Sequence, residues 1–319
     1  MRQDMALERN DLPALDASLQ QELASELLPG FRDLLEAEGI NQALQQSFYD
    51  VYLPLAYWLT QDHPGKLQLV GLNGAQGAGK STLAKILQLL LGEGFKLRTG
   101  VLSIDDLYLR RQQREELADT IHPLFRTRGV PGTHDVALGL EILDVLRNQE
   151  AGKAVQLPRF DKSTDDRLSP SEWTEIREPL DIVIFEGWCV GAQPQSEEAL
   201  RAPVNILESE QDPDGRWRRA SNRALAGDYQ ALFGQLDKLL MMKVPSFDDV
   251  FRWRSLQESK LGENASMGSD ELRRFVMHYE RLTRAQLEEM PQRADVVLSL
   301  DDAHRFNSVE LRPGSLDPE

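Results

Sequence analysis

Cysteine, positive charge and long apolar runs are all scarce in this chain, and each shortage removes a class of explanation. The one cysteine, Cys189, cannot close an internal disulfide, and no Cys/His cluster has zinc-binding spacing. A reducing, cytoplasmic setting is expected on that ground. Nowhere do about 18 apolar residues run together, so no ordinary membrane span is expected. The N-terminus, MRQDMALERNDLPALD, is mixed in charge and lacks an apolar core, so it does not read as a signal peptide. With 36 Lys+Arg against 52 Asp+Glu, the net charge of -16 repels phosphate backbones and anionic lipid surfaces. Neither nucleic acid nor membrane is an expected partner.

What remains is ordinary for a folded protein. Of 319 residues, 41% are hydrophobic and 28% charged, enough apolar surface for a sizeable core and too much for a disordered chain. Residues 1–66 show helical periodicity over 19–58, broken at Pro29-Gly30, and read as a helical N-terminal extension. From 67 to 319 the pattern alternates. Strands are expected at 67–72, 100–104, 181–185, 240–244 and 295–300, with helices from 81, over 135–148, 222–239, 247–261 and 269–289. Polar loops at 122–134 and 157–170 and a polar excursion at 192–220 interrupt them. Such alternation implies right-handed crossovers and an α/β fold: a mainly parallel, doubly wound sheet of about five strands with helices on both faces.

The first predicted strand runs into Gly74-Ala75-Gln76-Gly77-Ala78-Gly79-Lys80-Ser81, which matches G-x-x-x-x-G-K-[ST] at every fixed position and opens a helix that continues through Thr82. Glycines let successive backbone N–H groups turn inward around an anion, and the helix offers its positive end to the same phosphates. Lys80 is expected to bridge the β- and γ-phosphates of ATP, and the Ser81 hydroxyl to complete the shell of Mg²⁺. An acidic protein can hold a nucleotide in this way because the nest, one Lys and a metal ion act locally.

Two further strands end in acids, Asp105-Asp106 and Glu186. In a doubly wound fold ligands sit outside the carboxyl ends of the strands, so both positions face the phosphates. Phosphoryl transfer needs a carboxylate to orient the attacking hydroxyl and a cation to offset the phosphate oxygens. Asp105 is the expected base and Glu186 the metal-side acid, although the two roles can be exchanged. Asp106 and Asp135 read equally well as turn or cap residues, and His134 either contacts substrate or shapes the turn after Pro131-Gly132.

The ordered motifs are Gly74 to Ser81, Ser103-Ile104-Asp105-Asp106-Leu107-Tyr108, Arg128-Gly129-Val130-Pro131-Gly132-Thr133-His134-Asp135, Leu157-Pro158-Arg159-Phe160-Asp161-Lys162-Ser163, Ile184-Phe185-Glu186-Gly187-Trp188 and Trp253-Arg254-Ser255-Leu256-Gln257-Glu258. Together they resemble the D-glycerate 3-kinase family of plants and fungi, within the phosphoribulokinase and uridine kinase group of P-loop kinases. The resemblance spans about residues 67–300. It implies an ATP- and Mg²⁺-dependent kinase of a small hydroxylated acceptor, with Asp105 as base and Glu186 matching the group's acid. It also implies that the loops carrying Arg128, His134, Arg159, Asp161 and Lys162 face the acceptor, Arg128 and Arg159 being suited to a carboxylate. Arg254 resembles a lid residue, whereas neighbouring Arg252 reads as helix surface. The family's Gly-Met-Ser-Asp-Glu run is reordered here as Ser266-Met267-Gly268-Ser269-Asp270-Glu271, which receives no site role. A kinase of another metabolite, such as a nucleoside, pantothenate or a sugar-like acceptor, stays open, as does a nucleotide-driven switch or assembly ATPase.

Overall fold

The computed structural model describes residues 7–40, 47–61, 63, 65–259 and 268–312. The end of the helix expected over 247–261, part of the periodic stretch 19–58 and the positions Ser266 and Met267 lie outside the described residues. In chain order the strands are β1 (Arg9–Asn10), β2 (Gln68–Gly74), β3 (Thr99–Ser103), β4 (Val155–Leu157), β5 (Phe160–Asp161), β6 (Asp166–Arg167), β7 (Thr174–Ile176), β8 (Ile182–Gly187), β9 (Lys238–Lys243), β10 (Val296–Leu300) and β11 (Phe306–Leu311).

Seven of them form one sheet in the order β1-β11-β10-β9-β2-β8-β3. The five from β10 to β3 are mutually parallel. This is the expected α/β sheet, extended at one edge by β11, antiparallel to β10, and by β1, which pairs with β11. The central strands read as unbroken apolar runs because both faces are covered: every residue of β2 and of β8 is buried. Alternation then divides each strand between two cores. Val70, Leu72, Ile182 and Ile184 face a core built with the helix Lys80–Leu89 and with Leu27, Phe31 and Trp58 from the N-terminal helices. Leu69, Val183 and Phe185 face a second core with Ile142, Leu143 and Tyr229.

An aspartate just before each of three strands clasps its neighbour. Asp181, Asp237 and Asp295 accept the backbone N–H of Arg98, Leu69 and Leu239 respectively, each at 2.7 Å. A charged acceptor on a strand-end N–H is among the stronger neutral-donor hydrogen bonds, so these clasps align the far ends that carry the site.

Three sequence expectations shift. The helix Ala17–Ala37 runs straight through Pro29. Its buried stripe of Leu23, Leu27, Phe31 and Leu35 repeats every four residues against the core, and tertiary packing there outweighs the lost N–H donor of one proline. Instead of one helix over 222–239, there are two, Arg216–Ala226 and Asp228–Phe233, separated at Gly227, and β9 begins two residues early. The polar stretch 192–220 includes the helix Ile206–Gln211 and is pinned by buried ion pairs. Arg218 meets Asp212 at 3.0 Å and Arg281 meets Glu208 at 2.6 Å, so two of its acids are paired inside while charges such as Glu197, Glu198 and Arg201 stay exposed.

Candidate active site

The carboxyl ends of β2, β8 and β3 lie side by side, and the register brings Glu186 next to Leu72 on one flank and Ser103 on the other. Beyond β2 the chain turns through Gly77 and Gly79 at φ of 79° and 94°, conformations that a Cβ would strain, and enters the helix Lys80–Leu89. A Cβ on Gly74 would also come within 3.0 Å of the Met242 side chain. The loop is therefore a backbone cradle at a helix N-terminus.

Lys80 curls back over that cradle, its Nζ donating to the Ala75 carbonyl at 3.1 Å. Burial pulls its ammonium below the usual lysine range, against the upward pull of Glu186 and then Asp105. The Ser81 hydroxyl donates to Glu186 Oε1 at 3.0 Å, so two hard oxygens stand together beside the cradle. Gln76 and Thr82 are half-buried on the loop and the first helical turn, and Ala78 is buried. Asn73, at the end of β2, donates to the carbonyls of Trp188 and Val190 and to Gln286 Oε1 at 2.6 Å, which locks β2 to the turn after β8.

Asp105 sits in the tight turn Ile104–Leu107 after β3. Its Oδ2 accepts from Lys162 Nζ at 2.7 Å and its Oδ1 from the Tyr108 hydroxyl at 2.8 Å. Burial pushes its carboxyl up, but Lys162, Tyr108 and His134 together outweigh it and hold the group below the ordinary aspartate value. Asp106 turns the other way. It accepts from Arg159 at 3.1 Å and from the Phe160 N–H at 3.0 Å, and burial nonetheless leaves its carboxyl raised.

The polar loops are thus drawn onto the end of β3 by opposite charge. The hairpin of β5 and β6 carries Lys162 to Asp105, and Arg159 to Asp106. Arg128 is bonded to Asp165, which also meets the fully buried Arg114 at 2.9 Å. Arg167 reaches Asp135 at 3.1 Å, while Asp135 caps the helix Val136–Arg147 through the Leu138 N–H. Asp161 stays local, accepting from Ser163 and Thr164 within its own turn. The structure therefore gathers Lys80, Ser81, Glu186, Asp105, Lys162 and His134 around the strand ends, and spends Asp161 on a turn.

Comparison with known proteins follows the same lines. No family model matches the chain. The chloroplastic D-glycerate 3-kinase of Arabidopsis thaliana is 28% identical over 259 residues, which is 75% of this chain but 54% of the plant protein. The solved D-glycerate 3-kinase of Cryptococcus neoformans superposes with a TM-score of 0.64 at 24% identity, over 93% of this chain and 100% of that one. An uncharacterized kinase of Schizosaccharomyces pombe is 34% identical over 269 residues, 79% of this chain and 87% of its relative. The chain belongs to the D-glycerate 3-kinase family of P-loop kinases.

In this kinase the phosphate loop has a backing that the motifs alone do not place against it. Trp253, buried in the helix Phe247–Ser259, packs so closely that a Cβ on Gly77 would lie 3.1 Å from its own Cβ. His304, between β10 and β11, packs against Trp253 with ring centroids 3.7 Å apart and planes tilted by 31°, and donates from Nε2 to the Gly77 carbonyl at 3.0 Å. The helix that carries Arg254, the residue expected in a lid, thus rests on the loop, and the Arg254 guanidinium lies 6.0 Å from the centroid of the Phe275 ring. Arg252, by contrast, pairs with Asp249 on its own helix.

Sequence reasoning missed Tyr108, Asp165 and Tyr229. Tyr108 stands inside the Asp-Asp-Leu-Tyr motif, and its hydroxyl is the natural partner for an acid three residues earlier in a tight turn. Asp165 and Tyr229 are joined to Arg128 and His134 across 37 and 95 residues, and no local signal ties them together. Among the described residues no three His, Cys, Asp or Glu side chains form a metal cage.

Proposed function

We propose that this kinase transfers the γ-phosphoryl group of ATP, held with Mg²⁺, to a hydroxyl of a small carboxylated acceptor, with D-glycerate giving 3-phosphoglycerate as the best reading. The observation that carries it is Asp105: a carboxylate at the mouth of the phosphate loop, bonded to a lysine from an acceptor loop.

The residues present suit both the nucleotide and the metal. Left-handed glycines and Lys80 form an anion cradle. Ser81 and Glu186 offer adjacent oxygens, and Mg²⁺, which keeps most of its water and bonds to phosphates, needs only one or two protein oxygens rather than a cage. Mg²⁺, when bound, offsets charge on the phosphate oxygens. With the nucleotide bound, Lys80 would hold the β- and γ-phosphates, and Ser81, oriented by Glu186, would hold the metal together with that carboxylate.

Asp105 aligns the acceptor hydroxyl and takes its proton as the new oxygen–phosphorus bond forms and ADP departs with the electrons of the bond that breaks. Alignment is the larger part of this work, since the transition state is loose. A proton acceptor held ionised at neutral pH is ready for that role. Lys162, Arg128 and Arg159 supply the positive charge that a carboxylated acceptor requires, and Arg254 approaches from the helix over the loop. The unpaired, buried Cys189 fits a reducing compartment such as the cytoplasm.

The test is ADP release measured against D-glycerate, L-glycerate, nucleosides, pantothenate and sugar phosphates, with the product identified by ³¹P NMR. Saturable turnover of D-glycerate is expected. Selective turnover of a nucleoside or of pantothenate would replace glycerate and keep the kinase, while acceptor-free hydrolysis stimulated by another protein would indicate a switch.

A further inference from the structure

His134 is 5% exposed and makes an unusual set of contacts for a buried histidine. Its Nδ1 lies 2.7 Å from the Tyr229 hydroxyl. That same oxygen accepts the backbone N–H of Gly132 at 2.9 Å and of His134 itself at 3.3 Å. A phenol oxygen offers two acceptor sites and one proton. Both acceptor sites being taken by backbone donors, the hydroxyl proton points at Nδ1, which must therefore be the unprotonated nitrogen. The ring proton is left on Nε2, and Nε2 is buried without a hydrogen-bond partner.

A buried donor with nothing to donate to is costly and uncommon, and a bound water, an ion or a ligand is what completes one. The surroundings say which ligand. The imidazole lies flat on Tyr108, centroids 4.6 Å apart and planes 22° apart, and the Tyr108 hydroxyl is the group that holds Asp105. Phe160, from the hairpin that carries Lys162, closes on the edge of Tyr108 at 5.2 Å. His134 is thus one ring away from the carboxylate that serves the acceptor hydroxyl.

We propose that Tyr229 fixes His134 as its Nε2–H tautomer and that this N–H donates to an oxygen of the phosphoryl acceptor, making Tyr229 a positioning residue that acts through His134. The proposal rests on the kinase reading above. Burial holds the imidazole neutral, down at about 4, with Asp105 pulling only partly the other way. The donor is therefore an uncharged N–H that leaves the charge of the acceptor to Lys162 and Arg128. Such a donor reads position, because an analogue lacking the oxygen would leave it buried and unmade.

The full chain labelled with ¹⁵N-histidine tests the first half without any substrate, the His134 signals being assigned by their loss in His134→Gln. Expected are the shifts of a neutral Nε2–H ring, no titration near the ordinary 6.5, and a changed tautomer balance or a raised pKa in Tyr229→Phe. An Nδ1–H ring, or titration near the ordinary value, overturns the lock. Steady-state kinetics test the second half. Tyr229→Phe and His134→Phe should raise the acceptor KM by roughly 10-fold with the KM for ATP unchanged, and His134→Gln, whose amide N–H replaces Nε2–H, should recover most of the loss. Unchanged acceptor KM, or an equal rise for both substrates, overturns the contact. Should His134→Phe fail to fold, Tyr229→Phe decides alone. If wild-type protein turns over no acceptor at all, the kinase reading and the acceptor contact fall together while the tautomer result stands by itself.

Discussion

The phosphate loop and the polar loops proposed to hold the acceptor meet at the ends of the same strands, but they are made of different material. Residues 74–81 hold their shape through backbone: two left-handed glycines, a strand before them, a helix after them, and the Trp253–His304 pair pressed against Gly77. Residues 122–134 and 157–170 hold theirs through side-chain charge, in pairs such as Lys162–Asp105, Arg159–Asp106 and Arg128–Asp165. A phosphate is the same in every nucleotide and can be met by fixed N–H groups. An acceptor differs between kinases, and paired charges can be exchanged for substrate charges without rebuilding the fold.

The comparison breaks most sharply at Asp105, where the two sides touch. We predict that Asp105→Asn lowers kcat by on the order of 10² to 10⁴, the usual reach of a positioned proton acceptor, while the affinity for ATP changes little. ADP-release kinetics alongside nucleotide binding measured by calorimetry separate the two. A matched loss of ATP binding would move Asp105 to the phosphate side.

Lys162→Met sharpens the other side. Its Nζ is the charged partner of Asp105, and its side chain is largely exposed, so folding should survive. The acceptor KM is predicted to rise roughly 10- to 100-fold, the range for one charge-assisted hydrogen bond, with the KM for ATP unmoved. An unchanged KM for a carboxylated acceptor would argue against its carboxylate binding there.

How much of this was legible follows the same division. The phosphate loop was readable because its requirements are local: eight consecutive residues between one strand and one helix. Asp105 and Glu186 were readable because an apolar strand ending in an acid has a known place in a doubly wound sheet. The charge pairs were not. Arg128 needs Asp165 and His134 needs Tyr229, and sequence separation hides which acid or phenol will arrive. The same blindness hides a pair inside residues 192–220, since composition counts charges without showing that Arg218 and Asp212 bury one another. Pro29 misled for the opposite reason: its local cost is real, but the buried stripe around it decides.

Gly77→Ala tests whether the phosphate side truly depends on backbone conformation. The substitution places a Cβ in left-handed conformation and 3.1 Å from the Trp253 side chain. A destabilisation of about 1–2 kcal/mol is expected from the backbone alone, read as a lower urea midpoint at unchanged slope. Unchanged stability would mean the loop relaxes freely and that Trp253 does not fix it.

The smallest effect is a pH shift, silent at neutrality. Asp105 has its folded pKa below the ordinary 3.8, because Lys162, Tyr108 and His134 overcome the upward push of burial. A lowered folded value means the ionised group stabilises the native state. That contribution is fully present above the unfolded value and is lost as pH falls through the still lower folded one. Hence the acidic limb of kcat/KM for the wild type should not be set by Asp105 at pH values above the ordinary carboxylate range. Lys162→Met removes the first of the forces opposing burial, so the Asp105 pKa should climb, and the acidic limb should move up with it. Profiles of kcat/KM against pH for the two proteins, read with a carboxylate titration of Asp105 by NMR, measure that displacement. If neither the limb nor the titration moves, Lys162 does not hold Asp105 in solution. The acceptor side would then need another source of positive charge, with Arg128 and Arg159 the first candidates.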